Sequence, residues 1–373
     1  MALSCGVRHR LPAPTHPDEG VRPQFHRRNV RFCHPGYPDN SNTMLILPAL
    51  DPLPHHDAQK TPLQPNKRFG MHHETARVAC AILANARFDG YLSENKQPQT
   101  DPPCIDPDAL LLGDKYYFHV PGSAAPSPAY PVVPSFQHFR FPHARLPPSW
   151  LASTLSIPDK YGLPCAATLD AAVLARDVSC RLTASTLGTE AAHLIPRSEN
   201  AWFLSNEMAQ YTIRPSLPAA AATDDTANAI LLSSHIHATF DQRCFAIAPK
   251  WGRWVIHTLI GTPAEELTAV YHNVELQQLT GLAVECIFAR FAWSVVLQAS
   301  FLSAGGPRWL SVIRADESVS KEIFMDLMST YVLKLVGSKS RSYSPKKRSR
   351  GDGTVDKDMV GKEAEGNSTN KDN

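Results

Sequence analysis

The chain has 373 residues, of which 43% are hydrophobic and 19% charged, with a formal net charge of +2. This is the composition of a globular domain diluted by loops rich in Pro, Ser and Ala. It excludes the chain-wide basic field that would by itself announce a nucleic-acid partner. The longest mostly apolar span, Phe291 to Ala304, is too short to cross a bilayer and reads as a buried helix, so no membrane partner is expected. Eight cysteines are scattered without a CxxC pair, and no secretory apolar run follows Met1. Free thiols in a reducing, intracellular compartment are therefore expected.

In chain order, residues 1–24 mix Pro, His and Arg without apolar periodicity and predict disorder. Two strand-like runs then flank a turn rich in Pro, Gly and Asn within NVRFCHPGYPDNSNTMLILPALD. HHETARVACAILANARF follows with helical spacing at Val78, Ala81, Ile82 and Ala86, and these parts together predict a small N-terminal accessory unit over 25–96. Of the 32 prolines, 12 fall in residues 97–148, so 97–165 reads as a Pro-rich linker holding one strand, DKYYFHV. Its aromatics Phe136, Phe139 and Phe141 are of the kind that clips a loop onto a domain.

The main domain is expected over 166–304. LDAAVLARDVSC reads as a helix; CFAIAPK and RWVIHTL form a hairpin about a Gly-containing turn; and VECIFARFAWSVVLQASFL is a helix apolar all round, which other elements must cover. SKEIFMDLMSTYVLKLV predicts a second helix, forming a helical extension over 305–336. Beyond it, 337–373 reads as a disordered basic tail with nine Lys/Arg against six Asp/Glu.

The residues with chemistry concentrate between Thr189 and Asp241. His193 ends the short run AAH, and an imidazole with a reference pKa of about 6.5 can accept a proton near neutral pH. Asn228 precedes the apolar run AILL, where its amide can fix a loop and the histidine ring. His237 and Asp241 are spaced i, i+4 on one helix face, a fair pair for a divalent ion.

The order His193, Asn228, His237, with the surrounding RDVSC, AAHLIPRSE, WFLSNEM, HIHATFD, WVIH, YHN and FARFAW, resembles the HNH nuclease module as it occurs in fungal HNH-domain proteins. The likeness runs from about Arg176 to Trp293. It implies an α+β fold in which a ββα-metal hairpin and helix at 189–242 are enclosed by the hairpin Cys244–Leu259 and the helix 284–302. It also implies a metal-dependent endonuclease acting on DNA, with His193 as general base, Asn228 orienting it, and His237 and Asp241 holding one divalent ion, Mg or Mn ahead of Zn.

Many relatives place a metal-binding acid or histidine directly before the first histidine, where this chain has Ala192. Glu190, on the same strand face, is the natural substitute as a metal ligand. The weak overall charge and Ala192 also fit a catalytically silent HNH fold that binds nucleic acid or protein, and a zinc-stabilised structural domain is a third reading. Arg197 can meet a phosphate, and Arg290 is expected to tie down a buried carboxylate or loop. Lys346, Lys347 and Arg348 sit in a basic run suited to phosphate contact or nuclear import; otherwise the location is cytoplasmic.

Overall fold

The structure, a computed structural model, describes residues 28–53, 69–97, 105–122, 129–152, 168–214, 217–260, 265–301, 306–313 and 321–327. The strands in chain order are β1 (Asn29–Cys33), β2 (Thr43–Pro48), β3 (Asp51–Pro52), β4 (Phe69–His72), β5 (Tyr91–Ser93), β6 (Leu110–Leu111), β7 (Lys115–His119), β8 (Thr189–His193), β9 (Ala229–Ser233), β10 (Phe245–Lys250), β11 (Arg253–Thr258), β12 (Gly306–Val312) and β13 (Lys321–Leu327). The helices are α1 (His73–Leu83), α2 (Pro148–Leu151), α3 (Leu169–Asp177), α4 (Asn200–Ser205), α5 (Ser234–Asp241), α6 (Glu265–Tyr271) and α7 (Val284–Gln298). Helices and small, mostly antiparallel sheets make this an α+β chain.

The expected runs around the first turn form β1 and β2. β1 alternates as a half-covered strand requires, with Val30 and Phe32 buried and Arg31 exposed, while β2 exposes only Ile46 fully. β1 pairs antiparallel with β2 and parallel with β7, giving the sheet order β2-β1-β7-β5. Helix α1 packs against β2 and β7 of this sheet. Its start is capped by His72, whose ring Nδ1 accepts the Thr75 N–H, and the chain leaves it through Asn85 and Ala86, both left-handed.

The described parts of 97–165, residue 97 with 105–122 and 129–152, pack into the fold instead of running as a linker. β7 lies between β1 and β5, and Trp150 packs edge-on against Phe288. The prolines there shape short segments that still bury their aromatic side chains. Phe136, Phe139 and Phe141 gather around Trp202, whose Nε1 donates to the Phe139 carbonyl at 2.7 Å. That cluster fastens the loop to α4.

β10 and β11 form the expected hairpin. It closes at Lys250 and Arg253 through Trp251 and Gly252, both at positive φ, as a two-residue turn matched to strand twist requires. Against it packs α7, buried at every residue from Cys286 to Val296. One apolar core runs continuously from Val30 to Val312, so the N-terminal strands, α1 and the β10–β11 hairpin share it.

The helix expected over SKEIFMDLMSTYVLKLV is corrected. Lys321–Leu327 is a strand, paired antiparallel with Gly306–Val312, while 328–336 lies outside the described residues. A short apolar run fits either period, and here a partner strand decides. β12 is itself held where Val132 N–H donates to the Trp309 carbonyl and Ser311 N–H to the Val132 carbonyl, each at 3.0 Å. The helical extension over 305–336 is, where described, a β-hairpin.

Candidate active site

β8 and β9 pair antiparallel from Thr189↔Ser233 to His193↔Ala229, and the chain turns from β9 directly into α5. β9 is buried throughout because both its faces are covered. Ile230 and Leu232 enter the main core, while Ala229 and Leu231 pack beneath Val173 of α3. Such two-sided burial explains why AILL is continuously apolar rather than alternating.

Two charged residues clamp this unit. The Arg176 guanidinium grips the Asp177 carboxylate with two hydrogen bonds of 2.7 and 2.8 Å, and also donates to the carbonyls of Thr226 and Ala229. Asp177 in turn accepts the Leu231 N–H at 2.9 Å. This pair therefore ties α3 to the strand that supports the site.

His193 lies at the end of β8. Its Nε2 is 2.9 Å from an Asp224 carboxylate oxygen, which also accepts Arg197 Nε at 2.7 Å; Arg197 Nη2 completes a bidentate pair with the other oxygen at 2.9 Å. Burial lowers the pKa of His193 below 6.5, although Asp224 opposes the shift. The shift favours the neutral ring, which is the form able to accept a proton. For Asp224, burial acts to raise the pKa, but Arg197 and His193 outweigh it and hold the carboxyl below its usual range.

Asn228 does not touch the His193 ring. Fully buried, it accepts the Ile195 N–H and donates to the carbonyls of Ile195 and Thr223, fastening the start of β9 to the end of β8. It fixes the loop, as one half of its expected role requires, and reaches the histidine only through that loop.

On α5, Ile236 and Phe240 face the core, leaving His237 and Asp241 together on the partly open edge. His237 Nε2 and Asp241 Oδ2 are 3.5 Å apart. Two donors each about 2.1 Å from one ion would have a similar separation. Glu190 Oε2 instead lies 2.9 Å from His237 Nδ1, on the opposite side of the ring. In this arrangement an ion facing Nε2 and Asp241 lies across the ring from Glu190, whose carboxylate holds the ring instead of joining that pair.

Arg290 ties down backbone. Buried in α7, it donates to the carbonyls of Leu194 and Phe240 and lies over the Phe240 ring. One follows His193 and the other precedes Asp241, so one guanidinium links both halves of the site. Burial pushes its pKa down to about 9, with Asp241 opposing.

Asp224 carries no sequence signal that singles it out; its closeness to His193 appears once the loop is folded. Lys346, Lys347 and Arg348 lie outside the described residues.

A second cluster brings ligand-type atoms of Asp51, His257 and His272 within 4.8 Å of one another, all buried. Lys250 Nζ already occupies the same Asp51 oxygen, together with Asn273 Nδ2 and His272 Nε2. An ammonium provides the positive charge that the carboxylate needs and opposes a divalent ion beside it. We read this group as a polar clasp.

A cleft of about 560 Å³ beside His73, Glu74, Tyr91 and Trp251 contains none of the residues of the β8–β9–α5 unit. Among the described residues no helix is long and apolar enough to cross a membrane.

Residues 175–248 match the protein-family model described as HNH endonuclease. No curated protein and no solved structure matches the chain significantly.

Proposed function

We propose, from the match of residues 175–248 to the HNH endonuclease family model, that this chain is a metal-dependent endonuclease hydrolysing phosphodiester bonds in DNA. The observation that carries this reading is a partly buried His193, held by Asp224, on the same hairpin-and-helix unit as the His237–Asp241 edge. The paired strands β8 and β9 running directly into α5 support this reading, since a ββα-metal unit would need that order of elements.

His237 Nε2 and Asp241 would hold one divalent ion, with Glu190 fixing the His237 ring through Nδ1. Bound there, the ion supplies Lewis acidity at the phosphate and charge compensation for the leaving oxygen. Mg or Mn suits a shell with few protein donors completed by water. His193 accepts a proton from the attacking water as the water oxygen bonds to phosphorus. The scissile P–O bond breaks on the opposite side, and the departing oxygen takes a proton from solvent. Asn228 keeps the base in register with the helix by closing the loop around Ile195 and Thr223.

The test is a plasmid-nicking assay of the full chain with Mg or Mn. Wild type should nick, whereas His193→Ala should lose about 10²- to 10⁴-fold in rate while retaining fold and metal affinity, since a base is removed and no ligand is. Equal nicking by wild type and variant would overturn the assignment. A catalytically silent HNH fold that binds nucleic acid or protein is the second reading, motivated by Ala192 in the position before His193. Metal and DNA binding without nicking by wild type would favour it.

A further inference from the structure

We propose that Asp224 is the positioning residue of His193, and that Arg197 makes this positioning responsive to a substrate phosphate. The inference rests on the reading of His193 as the base and concerns how that same site engages its substrate.

The loop before β9 is built to present Asp224. Its neighbour Asp225 is fully buried and uses both carboxylate oxygens on backbone: Oδ1 accepts Ile213 and Ala227 N–H at 3.1 and 2.8 Å, and Oδ2 accepts Arg214 N–H at 2.9 Å. From the other side Asn228 Nδ2 donates to the Thr223 carbonyl at 2.9 Å. Two consecutive aspartates are thus divided, Asp225 clamping the loop inward while Asp224 projects to His193 and Arg197.

Among the described residues Asp224 is the hydrogen-bond partner of the His193 ring, at Nε2. A carboxylate there favours the tautomer with the proton on Nε2 and leaves Nδ1 as the accepting nitrogen. It also stabilises the imidazolium formed when water gives up its proton. Asp224, Arg197 and His237 are the charged or titratable groups whose fields act on the ring: the carboxylate favours its protonated form, and the other two oppose it.

Arg197 has a different exposure. Its side chain is 68% open to solvent, against 24% for Asp224. An exposed carboxylate–guanidinium pair contributes little to stability, and the planar fork that grips a carboxylate matches two phosphate oxygens equally well. A phosphodiester that takes the fork leaves Asp224 to His193 alone, so the carboxylate acts on the base most strongly when substrate is present.

The experiment uses the full chain, ¹⁵N-labelled and metal-free, and reads the His193 tautomer from long-range ¹H–¹⁵N correlations with and without a short DNA duplex. In wild type the Nε2-protonated form should dominate, and added duplex should shift the Arg197 side-chain resonances while keeping that tautomer. Asp224→Asn should give a tautomer mixture. In nicking assays the same variant should lose roughly 100-fold in kcat with little change in KM, the scale expected of a misplaced reacting group. The acid limb of its pH profile should move to lower pH, because His193 must be neutral to act and Asp224 raises its pKa. Should Asp224→Asn fail the thermal-melt control, Asp224→Glu takes its place, with a partial shift in both readouts expected. An unchanged tautomer and acid limb, or Arg197 resonances unmoved by duplex, would overturn the proposal. Absence of nicking by wild type would instead count against the nuclease reading, since the tautomer measurement does not depend on turnover.

Discussion

Lys250 Nζ donates to an Asp51 carboxylate oxygen across 199 residues of sequence, and both side chains are fully buried. The same oxygen receives Asn273 and His272, and the other oxygen receives the His72 N–H. Burial acts to raise the Asp51 pKa, but Lys250 and His272 hold it well below the usual carboxylate range. This clasp joins β3 to the end of β10 and to the turn after α6.

Breaking the clasp on one side should be costly. Lys250→Met leaves a buried carboxylate without its counter-charge, and a loss of about 3–5 kcal/mol is expected. The double variant Asp51→Asn with Lys250→Met should recover part of it. Urea unfolding followed by circular dichroism measures both; equal stability of the single variant and wild type would show that the pair is not coupled.

The buried histidines set the response to acid. Burial lowers the pKa of His257 well below 6.5 and that of His272 below it, and takes His34 to about 3 and His73 to about 4. Each folded-state value lies below the unfolded one, so the unfolded chain binds more protons once pH drops beneath about 6.5. Stability is complete above that pH and declines below it, by up to about 1.4 kcal/mol per pH unit for each such group. A melting temperature that stays level from about pH 7 to about pH 5 would contradict this balance.

Glu190 and Asp241 should differ as metal-site residues. Glu190→Gln keeps the shape of the group holding His237 Nδ1, and a loss of about 10- to 100-fold in Mn affinity is expected. Asp241→Asn removes the negative charge from a ligating group and His237→Ala removes a donor, and both should lose more. Titration calorimetry of the three variants ranks them, and equal losses for Glu190→Gln and Asp241→Asn would make Glu190 a direct ligand.

The tail yields an expectation from its charge pattern alone. Lys339 to Arg350 holds six basic residues and no acid. If this run contacts DNA, removing 337–373 should weaken binding most at low salt and flatten the salt dependence, because fewer counterions are released. If it serves nuclear import, in-vitro affinity should stay constant while a fluorescent fusion moves to the cytoplasm. An unchanged slope and location would leave it as solvated chain.

Local pattern determined much of this protein. The alternation in NVRFC and the mostly apolar surface of FARFAW each state a burial geometry that the structure contains, whereas RWVIHT is buried on both faces after Arg253 and α1 is buried all round except at Arg77. The i, i+4 spacing of His237 and Asp241 likewise placed them together, because helix geometry alone brings such residues to one edge. What only the tertiary structure decided involves partners distant in sequence. Lys321–Leu327 is a strand because Gly306–Val312 lies beside it, and the aromatics of a proline-rich stretch are core because Trp202 and α7 cover them. Glu190 meets the far nitrogen of His237 through strand register, and Asp224 reaches His193 because Asp225 and Asn228 fold the intervening loop back. Asp51, Lys250 and His272 show no pattern along the chain, since a buried polar cluster is defined by the closure of three separate segments and carries no period of its own.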